Sequence, residues 1–311
     1  MKNIDFVGYK KWYLGISGLM LIIGLAFIVF YGLKFSIEFT GGSQFIYSYH
    51  GDKIPNIGDI EKTIEGTGNP VISARVIKDE HQIVIRTDTL DQTDKNEVSS
   101  AVSAKYKNLR EESFETVGPT IGEETKQNAV KAVVISSIAI MAYIAFAFRE
   151  VSKPVASWKF GLAAIAALIH DVLVTVGIFA IFGALLNVEI DPLFITALLT
   201  IMGFSVHDTI VVFDRIRENL KKNTNYSFET VVNNSLMETL TRSLRTSLTV
   251  VLVLFALLLF GSPSILWFVI ALLIGIVLGT YSSIFTASQL LVVWYEWSGR
   301  AKRRSSPASK A

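Results

Sequence analysis

The chain has 311 residues, 51% of them apolar and 18% charged, with a net charge of +2 and no cysteine. That much hydrophobic surface exceeds what an ordinary soluble domain carries and makes a membrane protein the first reading. The lack of cysteine excludes a disulfide scaffold and leaves any zinc site without thiolate ligands. The small net charge hides an asymmetry: residues 32–127 hold 11 Lys/Arg against 16 Asp/Glu, a balance of −5 that leaves +7 for the rest, so two differently solvated parts are expected.

Lys2, Lys10 and Lys11 precede an apolar run over 12–31. A signal-peptide core spans about 7 to 15 residues and ends at a small-residue cleavage site. This run is longer and leads into Gly32-Leu33-Lys34, so it reads as an uncleaved first membrane helix.

Residues 32–127 have the grammar of a folded insert. A strand over 44–49 is followed by a helix with Ile57, Ile60 and Ile64 on one face, strands over 71–78 and 82–86 around Asp79-Glu80, a helix with Val98, Ala101, Val102 and Tyr106 on one face, and a last strand over 113–117. The order βαββαβ is the split βαβ, ferredoxin-like plan of an α+β domain, with interaction or movement as its expected role. Gly41-Gly42, after Phe39-Thr40, is expected to supply positive φ where the chain enters this domain, and a hinge is the functional variant.

Five further apolar segments, 128–148, 158–182, 192–213, 244–260 and 265–294, approach or exceed the roughly 20 helical residues that cross a bilayer. Six membrane helices result. Positive charge is concentrated at Arg149, Lys153 and Lys159, at Arg215, Arg217, Lys221 and Lys222, and at Arg300, Lys302, Arg303 and Arg304, while the loops at 183–191 and 261–264 hold none. Both termini are therefore expected in the cytoplasm and 32–127 outside. The expected organisation is 1–31 with the first helix, 32–127 as the extracytoplasmic domain, 128–296 as a five-helix bundle with a cytoplasmic segment at 214–243, and 297–311 as a basic tail. The stretch 214–241 reads as an amphipathic helix at the membrane surface or a topology determinant, and 300–311 as a disordered tail against anionic headgroups.

Ionisable side chains inside spans are costly, which makes each a functional candidate. Asp171 falls near the middle of the third span and Asp208 in the inner half of the fourth, each preceded by a histidine, His170 and His207. Neighbouring helical residues point about 100° apart, so a His and its adjacent Asp are poorly placed to share one ion, and no metal is expected. The histidines read as hydrogen-bonding partners of neighbouring helices, with a proton relay as the alternative. For the carboxylates two readings stand, an inter-helix hydrogen bond or a proton site. Burial disfavours the charged form and a nearby cation restores it, so a small helix movement can load or release a proton. Arg242, with Arg245 one turn on, supplies such a cation, headgroup snorkelling being the alternative. Gly275 and Gly279 form a G-x-x-x-G suited to close helix packing.

The motifs Phe39-Thr40-Gly41-Gly42, Val117-Gly118-Pro119, Ile169-His170-Asp171-Val172 and above all Gly203-Phe204-Ser205-Val206-His207-Asp208-Thr209-Ile210-Val211-Val212-Phe213-Asp214-Arg215-Ile216-Arg217-Glu218-Asn219 resemble the SecF family of the bacterial protein-export translocase, within the resistance-nodulation-division group. The resemblance covers essentially the whole chain and implies a multi-pass subunit of the bacterial inner membrane. It implies pairing with SecD near the SecYEG channel, sometimes with YajC, and drawing preproteins outward with the proton gradient after SecA has pushed them in. Asp208 matches the family's proton-responsive aspartate and Arg242 its arginine. The implied partners include membrane lipids and no nucleic acid, and the implied cofactor list is empty. Three alternatives remain at this point: a half-size proton-driven exporter of small molecules or lipids, an intramembrane aspartyl protease using Asp171 and Asp208, and a purely structural assembly subunit.

Overall fold

A computed structural model describes residues 5–50, 55–77, 81–149, 155–222 and 225–305, with side chains described to residue 298. Lys2, Lys78, Asp79-Glu80 and Lys153 lie outside the described residues. The chain divides into two compact units, one of residues 35–130 and one of residues 1–34 with 131–311.

The smaller unit is an α+β fold. A one-turn helix α2 (Ile37–Thr40) leads into β1 (Gly42–Tyr49), α3 (Ile57–Glu65), β2 (Val71–Ile77), β3 (Gln82–Thr87), α4 (Gln92–Lys105) and β4 (Leu109–Val117). The sheet order β2-β3-β1-β4 is antiparallel throughout, the ferredoxin-like arrangement expected from the βαββαβ order. Side-chain alternation sets the register: Phe45 pairs with Ile85 and Tyr47 with Ile83, so all four fall on one face, where Ile60 and Ile64 of α3 and Val98 and Val102 of α4 complete the core. Both helices begin where a side chain caps them, Asn56 accepting from the Gly58 amide at 3.1 Å and Asp91 from those of Thr93 and Asp94 at 2.7 and 2.8 Å.

The larger unit is a helical bundle. Its apolar helices are α1 (Lys10–Tyr31), α5 (Pro119–Ala147), which begins in the smaller unit, α6 (Ser157–Leu186), α7 (Pro192–Lys222), α8 (Phe228–Phe260) and α9 (Leu266–Ser282); α9 continues through one π-helical turn (Ser283–Ala287) into α10 (Ser288–Ser305). Six stretches are therefore long and apolar enough to span a membrane, the last running Pro263–Ser298. Half of the most apolar window of α6 and of α7 is buried, against 6% for α5, so α6 and α7 are central and α5 shows its surface to lipid or partner. Elements start where sequence provides for it: Asp191 caps α7 through the Phe194 amide at 2.8 Å, with Pro192 as its first residue, and Ser227 caps α8 through the Thr230 amide at 3.2 Å.

Two expectations change. The stretch 214–241 is no separate surface helix: α7 runs on to Lys222 and α8 starts at Phe228, so the two form the arms of a helical hairpin. Its apolar face packs arm against arm through Phe213, Ile216, Val232 and Leu236 rather than on headgroups. Its charges answer one another, Arg215 pairing with Glu238 and with Glu218 at 2.5 Å, while Asn219 Nδ2 donates to Glu238 at 2.8 Å and Ser235 Oγ at 3.0 Å. The second change is at the C-terminus, where the chain stays helical to Ser305 instead of loosening at Arg300; residues 306–311 lie outside the described residues.

Candidate functional site

The two central helices carry both spanning aspartates. Asp171 lies midway along the 30-residue α6 with 0% of its surface exposed, and Asp208 midway along the 31-residue α7 with 3% exposed. Isolated carboxylates at that depth would be costly, so their partners decide what each can do.

Asp171 is fully engaged. Its Oδ2 accepts from Ser205 Oγ of α7 at 2.6 Å and Ser282 Oγ of α9 at 2.5 Å, and its Oδ1 lies 3.0 Å from His170 Nδ1. The other imidazole nitrogen, Nε2, stands 3.2 Å from the Ser17 carbonyl oxygen of α1. A single carboxylate thus joins α6, α7 and α9, and reaches α1 through its neighbour. Adjacent helical positions diverge at Cα, yet the imidazole folds back onto the Asp171 carboxylate, so the pair meets at its ends.

The serines continue the seam. Ser283 Oγ is 2.9 Å from Thr209 Oγ1 and donates to the Gly279 carbonyl at 2.8 Å, and Ser17 Oγ is 2.7 Å from Thr286 Oγ1. Ser283 and Thr286 belong to the π-helical turn, whose wide geometry is marked by Ser288 Oγ reaching the Ser283 carbonyl at 3.2 Å, five residues back. Such turns interrupt the ordinary ladder and recur at functional positions. Ser17, Ser205, Ser282, Ser283 and the turn itself gave no signal in the sequence, because serine and threonine in a membrane helix commonly bond their own backbone one turn back.

Asp208 differs. Ser243 of α8 stands beside it, near enough to donate to the carboxylate after a small shift, and in the arrangement seen Asp208 Oδ2 and Ser243 Oγ are both buried without a hydrogen bond among the described residues. Arg242 precedes Ser243 on α8 and is exposed, and no ion pair joins it to Asp208 among the described residues. The arginine instead lines an open cleft of about 470 Å³ with Val211, Asp214, Arg215, Glu218 and Glu238, which begins one helical turn past Asp208. His207 and Arg245 point outward, exposed on α7 and α8. The described residues contain no group of three or more potential metal ligands.

Glycine sets the helix spacing. A Cβ on Gly275 would lie 2.2 Å from Ile201 Cδ1, and one on Gly279 3.1 Å from Ser205 Cβ, so the G-x-x-x-G seats α9 on α7 beside the Asp171 cluster. Gly41 and Gly42 have φ of +72° and +111°, but they turn α2 into β1 within the smaller unit, where a Cβ would meet Pro119 Cα at 3.0 Å and the Thr87 carbonyl at 2.8 Å. The chain leaves α1 at Gly32, with φ +70° and open space around it.

A bundle of six apolar spans with two buried carboxylates, joined to a ferredoxin-like unit, defines a polytopic membrane protein whose intramembrane ionisable groups are its functional candidates. Known proteins make this specific. Residues 97–297 match the family described as protein export membrane protein SecD/SecF, C-terminal. The chain is 42% identical to the protein translocase subunit SecF of Thermobaculum terrenum, covering 99% of both chains, and 37% identical to that of Anaerolinea thermophila, covering 98% and 99%. It is 34% identical to the SecDF subunit of Bacillus subtilis, covering 97% of this chain and 39% of that one. A crystal structure of SecDF, a translocon-associated membrane protein from Thermus thermophilus, superposes with a TM-score of 0.81 at 32% identity over 94% of this chain and 39% of that one. The chain belongs to the SecF family of protein translocase subunits, with an accessory role in Sec translocation.

Proposed function

We propose that this chain pairs with SecD to form a proton-driven accessory of the SecYEG channel, with YajC as a further neighbour, drawing preproteins outward after SecA has pushed them in. In this reading the α+β unit is extracytoplasmic and both termini are cytoplasmic, as the clustering of Lys and Arg supports. Asp208, Arg242 and Asp171 are the proton-coupling groups. The observation that carries the reading is the Asp208 carboxylate, buried at mid-helix with one oxygen unpartnered beside a cleft that holds Arg242. An acceptor left open in that position is suited to a transient proton, and protonation weakens its attraction to the arginine and frees α7 to shift against α8. One charge crossing the membrane potential supplies about 2.3 kcal/mol per 100 mV, enough to bias a motion worth a few kcal/mol. We place the pivot for the α+β unit just after Lys34, where the unit boundary falls, since Lys34 is tied to Ile190 and Asn187 of the bundle and Gly41-Gly42 is packed against Pro119 and Thr87.

The test is Asp208→Asn. The variant should co-purify with SecD as wild type does and lose the gradient-dependent part of preprotein export into inverted membrane vesicles. Normal export by a properly assembled variant would sink the proposal.

A further inference from the structure

We propose that His170 and Asp171 form a one-proton latch that ties α1 to the polar centre of the bundle. A backbone carbonyl only accepts hydrogen bonds, so the imidazole nitrogen 3.2 Å from the Ser17 oxygen, Nε2, carries a proton. That leaves Nδ1, 3.0 Å from Asp171 Oδ1, either bare or doubly served as an imidazolium. A bare Nδ1 facing an ionised carboxylate would set two lone pairs against each other in a site with 0% exposure at Asp171 and 6% at His170. The contact closes only with one proton between the two atoms. It lies on Oδ1 as a carboxylic acid donating to neutral imidazole, or on Nδ1 as an imidazolium donating to carboxylate, and the pair is uncharged in both forms.

Losing that proton leaves a neutral ring with one N–H for two acceptors, the Asp171 carboxylate and the Ser17 carbonyl. The N–H goes to the ionised carboxylate, the stronger acceptor, which Ser205 and Ser282 continue to hold, and a bare Nε2 then faces the Ser17 carbonyl, so the tie to α1 is lost. The structure therefore shows the loaded state. Among the described residues the titratable groups around the pair are few: α1 presents Tyr13 beside Ser17, α7 presents Asp208 one turn along from Ser205, the end of α9 presents Tyr281 beside Ser282, its hydroxyl donating to the Tyr13 carbonyl at 3.1 Å, and α10 carries no titratable side chain before Tyr295. The helix released is α1, from which the chain runs through Gly32 to Lys34, whose carbonyl accepts from the Ile190 amide at 2.7 Å, before it enters the α+β unit. The latch's part in export rests on the proton-driven reading above; its proton chemistry does not.

The full chain with 15N-labelled histidine, in lipid nanodiscs, reads that chemistry through imidazole nitrogen resonances over a pH titration, the His170 signals being those absent from His170→Gln. At low pH Nε2 should be protonated and Nδ1 should carry a shared proton, and raising the pH should leave a neutral ring protonated at Nδ1 and bare at Nε2. A ring bare at Nε2 at every pH overturns the latch, as does one that keeps Nε2 protonated at every pH. In Asp171→Asn the amide donates to a bare Nδ1, so the His170 signals should become independent of pH; an unchanged titration overturns the proposal. In export vesicles His170→Gln should lose the gradient-dependent part. Loss in Asp208→Asn alone, with His170→Gln at the wild-type level, rejects the latch. Normal export in both variants rejects the proton-driven reading, and the imidazole spectra then decide the latch.

Discussion

Gly177 of α6 lies so close to Gly24 of α1 that a Cβ built on it would stand 2.4 Å from Gly24 Cα, whereas a Cβ on Gly24 would stand 3.2 Å from Gly177 Cα. Backbone meets backbone at this crossing, so neither helix can yield by moving a side chain. Gly177→Ala should cost about 1–3 kcal/mol, as overpacking does, and Gly24→Ala less. Gly15→Ala, with nothing within 4 Å, should be close to neutral. Unfolding in mixed micelles ranks the three, and a Gly177→Ala protein as stable as Gly15→Ala would show that the helices are not pressed together there.

Ser205 and Ser282 share one acceptor, Asp171 Oδ2, from two different helices. Removing either hydroxyl by alanine should cost about 0.6–2 kcal/mol, the range for side-chain hydrogen bonds between membrane helices. The two losses should not add, because the first truncation leaves the carboxylate leaning on the second serine. A double-mutant cycle by the same unfolding measurement checks this, and strict additivity would mean that the serines serve Asp171 independently.

That cycle concerns residues invisible in the sequence, and the reason is physical. Long apolar runs announce the spans, and Ile60, Ile64, Val98 and Val102 announce the core of the α+β unit, because burial repeats with the period of the helix. Asp171 and Asp208 stand out by their cost in an apolar run. A serine costs little there, so Ser17, Ser205, Ser282 and Ser283 blend into their helices, and only the packing of four helices shows that they converge. The hairpin of α7 and α8 was hidden for a related reason: its charges suggest a surface, while Arg215, Glu218, Glu238 and Asn219 are in fact satisfied by one another. The Gly24–Gly177 crossing was equally silent, since glycine is frequent in membrane helices.

Tyr47 gives the α+β unit an alkaline limit. Its ring is 1% exposed in the core and its hydroxyl has no hydrogen-bond partner among the described residues. Burial pushes that hydroxyl well above the ordinary tyrosine range, and the charge of Glu111 adds to the effect. The folded state therefore keeps the Tyr47 proton when the unfolded chain, titrating near about 10, has begun to lose it. The group's contribution is complete below that pH and is withdrawn as pH rises past it, by about 1.4 kcal/mol at roughly one pH unit above. Tyr47→Phe has no proton to lose and no hydrogen bond to forfeit. At neutral pH it should match or exceed wild-type stability, by up to about 1 kcal/mol. Above pH of about 10 its advantage should widen. Thermal midpoints of the full-length protein and the variant on both sides of that pH measure the difference, and a gap that stays constant or narrows with rising pH would mean that the Tyr47 hydroxyl ionises in the folded protein as readily as in the unfolded chain.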